Sequence, residues 1–249
     1  KYTHEAVIIY CFSRKETERV AGDLRAEGFS ARPYHAGLNA DTRRETQEAF
    51  IRDDVSVIVA TIAFGMGIDK PDVRLVVHYA LPKTIEGYYQ ETGRAGRDGL
   101  PSLCVLYYSY GDTRKHRFFS DQITDEAERG RVEAQLRHVV DYSELASCRR
   151  KFLLQYFGET WTEEVCDNCD MCSAPRETVD ATEIVQKILS AVLRTGERYG
   201  AKYVADVLRG AKSQTIRDRA HDTLSVFGIV RDLLSEEVVS VIRALVTKG

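Results

Sequence analysis

The first 120 residues alternate short apolar runs with amphipathic stretches, and this alternation limits the fold more than any other feature. Helical periodicity is clear in residues 14–27, where Val20 and Leu24 share one face and Gly28 ends the pattern. The apolar runs are residues 6–12, 31–35, 55–60, 73–79 and 102–108. Apolar runs separated by helices are typical of a parallel sheet covered by helices. We therefore expect one α/β lobe over residues 1–120.

The remaining sequence divides into two further segments. Residues 121–176 contain a charged helical stretch, a helix that carries Cys148 and a cysteine-rich loop, and Pro175 among polar residues marks a boundary. Residues 177–249 have apolar stripes at helical spacing, with glycines at the expected turns: Gly196, Gly200, Gly210 and Gly228. This last pattern predicts a domain of the helix-turn-helix type.

Composition excludes some classes of protein. No run of about 18 apolar residues occurs, so we expect no membrane partner. The first residues do not form a signal peptide, and we expect a cytoplasmic location, or a nuclear one in a eukaryote. A formal net charge of −3 argues against a uniformly basic coat but allows one basic face for nucleic acid.

Four of the six cysteines cluster in sequence: Cys148, Cys166, Cys169 and Cys172. Four thiolates suit a closed tetrahedral zinc site, which stabilises the fold and has no open position for catalysis. An iron–sulfur cluster uses similar ligands, whereas disulfides are disfavoured in the cytoplasm. We expect zinc. The two isolated cysteines, Cys11 and Cys104, lie in apolar runs and are predicted to be small buried hydrophobic residues.

A basic cluster follows the first of these cysteines. Arg149, Arg150 and Lys151 come directly after Cys148, so a zinc site that fixes this helix also aims three cations. They suit a nucleic-acid backbone. They equally suit a solvated charge run that offsets the negative zinc–thiolate centre.

Residues 90–99 read Gln-Glu-Thr-Gly-Arg-Ala-Gly-Arg-Asp-Gly. The spacing of Arg94 and Arg97 predicts two guanidinium groups that converge on one polyanion. The small residues around them allow a phosphate to approach closely, and Asp98 is suited to hold an arginine through a bidentate pair. This segment is the strongest candidate phosphate site.

Two weaker candidates follow predicted strands. Residues 61–70 begin with Thr61, contain Gly65 in a Gly-x-Gly pattern and reach Asp69, which is suited to a ribose hydroxyl or to one of the arginines. The turn from His35 to Gly37 also ends a strand, where a single histidine is more often structural.

The sequence has no Gly-x-x-x-x-Gly-Lys-Ser/Thr phosphate loop. It also has no Asp-Glu pair after an apolar strand that would hold magnesium. These 249 residues therefore contain only one half of a phosphate-binding site.

Together these motifs resemble the second half of the RecQ family of DNA helicases, over essentially the whole chain. Residues 7–14, which end in Ser13-Arg14, resemble helicase motif IV; residues 61–70 resemble motif V, and residues 90–99 motif VI. The cysteine loop resembles the RecQ zinc-binding subdomain, and residues 201–249 resemble its winged helix.

The resemblance implies a RecA-like parallel-sheet lobe over residues 1–120, a helical zinc-binding subdomain over 121–176 and a mainly helical winged-helix domain over 177–249. Arg94 and Arg97 would be catalytic arginine fingers at a shared site for ATP and magnesium. The nucleotide-binding residues it implies are Gln90, Gly65, Asp69, Arg94 and Arg97. The DNA-binding residues it implies are Ser13, Arg14, His35, Gly37, Thr61, Arg149 and Arg150. The expected metal ligands are Cys148, Cys166, Cys169 and Cys172.

The resemblance also implies activity and partners. The family unwinds duplex DNA in the 3′ to 5′ direction, in recombination and repair, and binds both single-stranded and duplex DNA. Its first RecA-like lobe, which carries the phosphate loop, is missing from these residues, as are the strands of the wing. We therefore expect a fragment, or one part of a split core, without ATPase activity of its own. The alternative is a zinc-stabilised nucleic-acid-binding or regulatory module that never binds ATP.

Overall fold

The computed structural model describes residues 5–61, 64, 69–109, 111–174 and 180–248. The chain forms two compact units, Lys1–Ala174 and Pro175–Gly249. Each unit has its own buried core and is described separately below.

The first unit is built on a five-stranded sheet in which every neighbouring pair of strands is parallel. The strands are β1 (Ala6–Tyr10), β2 (Ala31–Tyr34), β3 (Val57–Ala60), β4 (Val73–His78) and β5 (Leu103–Leu106). Their order in the sheet is β2-β3-β1-β4-β5. Each strand lies within an apolar run that predicted it, so the expected parallel sheet is confirmed.

The central strands are buried on both faces, which explains why they are apolar without interruption. Ile8 and Tyr10 of β1 belong to one hydrophobic cluster, together with Phe50. Val7 belongs to the cluster on the opposite face, together with Val20. Alternate residues of a strand point to opposite faces, so α1 (Arg14–Ala26) and α2 (Ala40–Ile51) cover different faces of the sheet.

The helix beginnings follow capping rules. Ser13 and Glu16 cap the beginning of α1: the Glu16 amide donates to Ser13 Oγ at 3.2 Å, and the amide of Phe12, which precedes the cap, donates to the Glu16 carboxylate at 2.9 Å. For α2 the cap is Asn39, whose Oδ1 accepts from the Thr42 amide at 2.7 Å. Asp41 thus lies in the first turn of α2.

Between β4 and β5 lies α3 (Ile85–Thr92), and after β5 come α4 (Asp112–Ser120), α5 (Glu126–Glu144), α6 (Arg149–Tyr156) and α7 (Asp170–Ser173). Ile85 and Tyr88 of α3 share a buried cluster with Leu136, Val139 and Tyr142 of α5. This cluster packs α5 against α3. Because α3 leads directly into residues 93–99, the cluster also fixes the start of the turn that carries Arg94 and Arg97.

Two cysteines differ from expectation. Cys148 is the N-cap of α6 and lies outside any helix. Cys104 is exposed rather than buried, because β5 is the edge strand of the sheet and no further strand covers it. Cys11 directly follows the central strand β1 and is buried as predicted.

The second unit is helical. Its elements are α8 (Thr182–Thr195), α9 (Ala201–Arg209), α10 (Gln214–Asp218), a short 3-10 helix (His221–Thr223) and α11 (Ser235–Lys248). Their apolar faces meet in one core that includes Ile188, Leu208, Ile216 and Val238. Gly196 and Gly210 end α8 and α9 with φ of 88° and 71°, where a glycine costs least. Within the described residues, no helix combines the length and the apolar character that crossing a membrane requires.

Candidate functional sites

The four clustered cysteines come together in the first unit. The sulfur atoms of Cys148, Cys166, Cys169 and Cys172 all lie within 4.8 Å of one another. Four thiolates around a tetrahedral zinc are separated by about 3.8 Å, given zinc–sulfur bonds of about 2.3 Å. The cluster therefore fits a zinc ion with little rearrangement.

Backbone amides donate hydrogen bonds to sulfur atoms of this cluster. The Cys166 amide donates to Cys172 Sγ at 3.4 Å, and the Lys151 amide donates to Cys148 Sγ at 3.5 Å. Burial raises the pKa of Cys169, but hydrogen bonds to its sulfur, first from the Arg149 backbone, outweigh burial and lower that pKa. At Cys172 the hydrogen bond from the Cys166 backbone lowers the pKa, but burial and the neighbouring sulfur atoms outweigh it and raise that pKa. The site thus has the donor set of a metal–thiolate centre, with one thiol already favoured as a thiolate.

Arg149 takes a structural role that the sequence did not predict. Its Nε and Nη2 donate to the two carboxylate oxygens of Asp170 at 2.5 and 2.9 Å, and its Nη1 donates to the Tyr142 carbonyl at 2.6 Å. The guanidinium also lies over the Tyr142 ring, 5.4 Å from the centroid. These contacts occupy the charged head and link the cysteine loop to α5. A contact of Arg149 with DNA stays a prediction.

Arg150 differs from its neighbour. It is exposed and lies beside a groove that β5, α3 and the cysteine loop also line. Of the two arginines expected to contact DNA after Cys148, only Arg150 presents its side chain outward.

The turn at residues 93–99 lies near the beginning of β4. The Gly96 amide donates to the Val73 carbonyl at 3.0 Å, and the Asp98 amide donates to the Pro71 carbonyl at 3.2 Å. Gly96 has φ of 62°, and a Cβ there would lie 2.5 Å from Ser102 Oγ. Glycine is therefore required by both the backbone conformation and the close approach of the next segment.

Arg97 points outward from this turn. Its side chain is 41% exposed, its Nη1 lies 3.7 Å from Asp69 Oδ1, and its Nε donates to the Gly93 carbonyl at 3.3 Å. Asp69 is 95% exposed, so this pair is open to solvent. The expectation that Asp69 holds one of the arginines agrees with this geometry.

Arg94 points inward. It is partly buried near the hydroxyl of Tyr10 at the end of β1: burial raises the pKa of Tyr10, and the charge of Arg94 offsets part of that rise. The two arginines thus have different surroundings, and their convergence on one polyanion stays a prediction. Gln90, the other residue predicted to bind nucleotide on this segment, is exposed on α3.

Asp98 does not hold either of these arginines. Its carboxylate accepts from Nη2 of Arg74 at 2.5 Å, and this bond holds the pKa of Asp98 below its ordinary value. The pair fixes the far side of the turn to β4, because Arg74 is a residue of that strand.

The predicted DNA-contacting residues gather at the opposite end of the sheet, where the parallel strands end. Ser13 and Arg14 follow β1, the turn at Gly37 follows β2, and Thr61 follows β3. A Cβ on Gly37 would lie 3.2 Å from the Cδ and Nη1 atoms of Arg14, so the arginine lies directly over this turn. Gly65 falls outside the described residues.

The ring of His35 is satisfied internally. The Gly37 amide donates to Nδ1 at 3.2 Å, so Nε2 carries the hydrogen and donates to Glu18 at 2.9 Å. The ring is buried and shapes the turn. A DNA contact by His35 itself stays a prediction, and the geometry favours the structural role.

A cleft at this edge includes residues that sequence reasoning missed. It has a volume of about 100 Å³ and is lined by Thr61, Lys83 and Thr84, among others, with His78 and Glu91 behind. His78 Nε2 lies 2.7 Å from the Glu91 carboxylate, and both side chains are buried. Lys83 was detectable as a lysine just before the helix cap Thr84, but nothing in its local sequence indicates a cleft.

Three family models match successive parts of the chain. The helicase conserved C-terminal domain matches residues 1–99, the RecQ zinc-binding model matches residues 110–173, and the RQC domain matches residues 175–249. The zinc-binding match and the cysteine cluster together support a structural zinc.

Similar proteins carry consistent names. An ATP-dependent DNA helicase RecQ of Pasteurella multocida is 48% identical over 97% of this chain and 38% of its own length. One of Bacillus subtilis is 41% identical over 98% of this chain and 41% of its own length. A DEAD box protein of Methanococcus jannaschii aligns in structure with a TM-score of 0.42 and 26% identity, covering 49% of this chain and 33% of its own.

A RecA-like parallel lobe, a four-cysteine zinc subdomain and an RQC domain, in this order, define the C-terminal region of a helicase. The chain belongs to the RecQ family. It spans about two fifths of the length of the curated relatives named here.

Proposed function

We propose that this chain is the second half of the core of an ATP-dependent DNA helicase that moves 3′ to 5′ and unwinds duplex DNA in recombination and repair. It supplies arginines to an ATP site that a first RecA-like lobe completes. The observation that carries this proposal is the exposed guanidinium of Arg97, held by Asp69 on a glycine turn in a sequence that has no phosphate loop.

The chemistry of the site follows from its charge. Arg97 is the group that stabilises the negative charge developing on the transferred phosphoryl group, and Arg94 supports it from the same turn. Such a finger contributes about 10³ to 10⁵ in rate. Asp69 keeps the Arg97 side chain extended before the lobes close, and a loose pair of 3.7 Å is easily exchanged for a phosphate. Gln90 and Gly65 are proposed to contact the same nucleotide.

Magnesium is assigned to the partner lobe. The 249 residues of this sequence include no Asp-Glu pair directly after an apolar strand, which is the arrangement that would hold magnesium. ATP is therefore bound mainly by the other lobe, and this chain senses its terminal phosphate.

The DNA-facing surface is the carboxyl edge of the sheet. Arg14 lies over the Gly37 turn, and Thr61 and Lys83 line the adjacent cleft, so cations and a hydroxyl lie side by side where a phosphate backbone can pass. Ser13 caps α1 and holds Arg14 at this edge. Arg150 extends the basic surface beyond the lobe, and the second unit is proposed to bind the duplex.

The zinc subdomain has a structural part in this scheme. Arg149 joins the cysteine loop to Tyr142 on α5, and the Tyr142 hydroxyl donates to Tyr88 on α3 at 3.4 Å. Since α3 leads into the turn of Arg94 and Arg97, a folded cysteine loop steadies the helix that positions both arginines.

A complementation assay tests the proposal. The chain is mixed with the separately expressed first lobe of a RecQ relative, and ATP hydrolysis is measured with and without single-stranded DNA. We expect no hydrolysis by either part alone and DNA-stimulated hydrolysis by the mixture. The first lobe mixed with a chain that carries Arg97→Ala is the matched control and should be inactive.

The alternative function has a distinct outcome in the same assay. A zinc-stabilised nucleic-acid-binding or regulatory module would bind DNA with a steep dependence on salt and leave the mixture without ATPase activity. Appreciable hydrolysis by the purified chain alone would contradict both functions.

A further inference from the structure

The exposed aromatic side chains of the first unit are unevenly distributed. Six Phe and Tyr side chains are exposed among the described residues, and two of them, Tyr89 and Phe157, pack on each other with ring centroids 4.9 Å apart. The other four come after the carboxyl ends of two neighbouring strands: Tyr79 follows β4, Tyr107 follows β5, and Phe118 and Phe119 lie on α4, the next helix. Exposed apolar side chains that cluster in this way mark a binding surface.

Two contacts hold α4 at the carboxyl edge of the sheet. The ring of Phe119 packs on Phe12, with centroids 5.7 Å apart. His116 packs edge-on against the same Phe12 ring at 5.1 Å, and its Nε2 donates to the Leu81 carbonyl at 2.9 Å. Phe12 and Leu81 both line the cleft that contains Thr61. The helix therefore lies next to the edge that is proposed to contact DNA.

The two phenylalanines of α4 remain largely open to solvent. Phe118 is 65% exposed and Phe119 is 55% exposed. Their rings meet edge to face with centroids 5.5 Å apart, so they cover only part of each other. Burial of an aromatic side chain is strongly stabilising, and little of that stabilisation is realised here. A partner that covers these rings gains it on binding.

Cations accompany the two rings. Arg114 precedes Phe118 by four residues and Lys115 precedes Phe119 by four, so each cation shares a side of α4 with a ring. Arg114 is exposed. Lys115 pairs with Asp112 at 3.0 Å, and a solvent-exposed pair of this kind is readily exchanged for a phosphate. The surface therefore offers positive charge and open ring faces together.

A single strand of nucleic acid has the complementary chemistry. Its unpaired bases stack on aromatic rings, and its phosphates pair with cations. A duplex keeps its base faces stacked on one another and cannot cover the rings. The surface also continues the edge on which Arg14, Thr61 and Lys83 are proposed to contact a phosphate backbone.

We propose that α4 stacks unpaired bases of single-stranded DNA on Phe118 and Phe119, with Arg114 and Lys115 binding the adjacent phosphates. This inference rests on the proposed function, because it extends the DNA-facing edge. The strand is then held by its phosphates at the sheet and by its bases at α4. Since every base has a flat aromatic face, this contact carries little sequence preference.

The substitution Phe118→Ala tests the stacking contact, and its exposure means that the fold should tolerate the change. Binding of fluorescein-labelled oligo(dT) to the purified zinc-loaded chain is measured by anisotropy over a range of salt concentrations. We expect affinity to fall by about tenfold, as for the loss of one stacked base. The slope of log K against log salt and the melting temperature should stay unchanged, because no cation is lost.

Two further substitutions at this position separate stacking from general apolar contact. Phe118→Trp keeps an aromatic face and should bind oligo(dT) at least as tightly as wild type. Phe118→Leu keeps an apolar side chain without a ring and should lose affinity as the alanine variant does. Wild-type affinity in both Phe118→Leu and Phe118→Ala would overturn the proposal.

Phe157→Ala is the matched control, because Phe157 is another exposed phenylalanine and packs on Tyr89 rather than at the carboxyl edge. Its affinity for oligo(dT) should equal that of wild type, and a tenfold loss there would overturn the assignment to α4.

A spectroscopic readout reports stacking directly. The fluorescence of 2-aminopurine in a single strand should be quenched further when the wild-type chain binds, and this change should be absent in Phe118→Ala. Equal quenching by the two proteins would overturn the stacking role and leave the proposed function standing. A wild-type chain that does not bind oligo(dT) at all would instead refute the DNA-facing edge of the proposed function together with its extension to α4, so the two failures are distinguishable.

Discussion

The Arg149 guanidinium holds the Asp170 carboxylate through two hydrogen bonds of 2.5 and 2.9 Å, across 21 residues of sequence. This pair closes the cysteine loop onto α6, because Asp170 directly follows Cys169 and Arg149 directly follows Cys148. Metal binding and the ion pair therefore stabilise the same connection.

Substitutions of the two neighbouring arginines should have different effects: loss of Arg149 should lower stability, and loss of Arg150 should weaken DNA binding. Arg149→Met should lower the free energy of unfolding by about 2 kcal/mol, because it leaves the Asp170 carboxylate and the Tyr142 carbonyl without their partner. Arg150→Met is the control and should change it by less than about 0.5 kcal/mol, since Arg150 is exposed. Urea unfolding measures both values. Equal destabilisation by the two substitutions would contradict the structural role of Arg149.

For the binding of single-stranded DNA, we expect the effect at Arg150. Arg150→Met should weaken binding and reduce the slope of log K against log salt by about one unit or less, as expected for the loss of one phosphate contact. An unchanged affinity would mean that Arg150 is only solvated surface.

Zinc removal should unfold the cysteine loop. Metal analysis should give about one zinc per chain, and chelation should lower the melting temperature, because four thiolates repel one another without a metal. Cys166→Ser should lose the zinc, whereas Cys104→Ser, which changes the exposed thiol on β5, should retain it. Zinc content unaffected by Cys166→Ser would contradict the ligand assignment.

The arginine turn should not tolerate a side chain at Gly96. Gly96→Ala should destabilise the protein by about 1 to 3 kcal/mol, because φ is 62° and the new Cβ would lie 2.5 Å from Ser102 Oγ and 2.8 Å from the Leu100 carbonyl. Gly130→Ala is the contrasting substitution. Gly130 lies within α5 with nothing inside 4 Å, and alanine there should stabilise by up to about 1 kcal/mol. Thermal unfolding distinguishes the two.

The Arg74–Asp98 pair should make part of the stability depend on pH. The hydrogen bond from Arg74 lowers the pKa of Asp98, so the ionised carboxylate stabilises the fold above the unfolded value of about 3.9. This contribution is lost as pH falls through the lower folded pKa. Asp98→Asn should therefore reduce stability at pH 7, and the difference from wild type should shrink below about pH 3.9 in denaturant titrations. A stability difference between Asp98→Asn and wild type that does not vary with pH would contradict the stabilising role of the ionised Asp98 carboxylate.

Much of the fold could be predicted from the sequence because the central strands are buried on both faces and therefore uninterrupted. Strand ends were less predictable: β1 ends at Tyr10 although the apolar run continues to Phe12, since Ser13 and Glu16 begin the next helix. Cys104 was misjudged because local sequence does not reveal that β5 is an edge strand.

The metal cluster was predictable because cysteine spacing is itself chemical information. The partners of individual arginines were not. Arg149 and Arg150 are adjacent and chemically identical, and only the position of Asp170 across the fold separates them.

The central claim is that the arginine turn completes an ATP site in a partner lobe. The most direct test is kcat for DNA-stimulated ATP hydrolysis by the complete two-lobe protein, compared between wild type and Arg97→Ala. Arg44→Ala, which changes an exposed arginine on α2, is the control. The account predicts a fall in kcat of about 10³ or more for Arg97→Ala and no change for Arg44→Ala. A kcat for Arg97→Ala equal to that of wild type would contradict it.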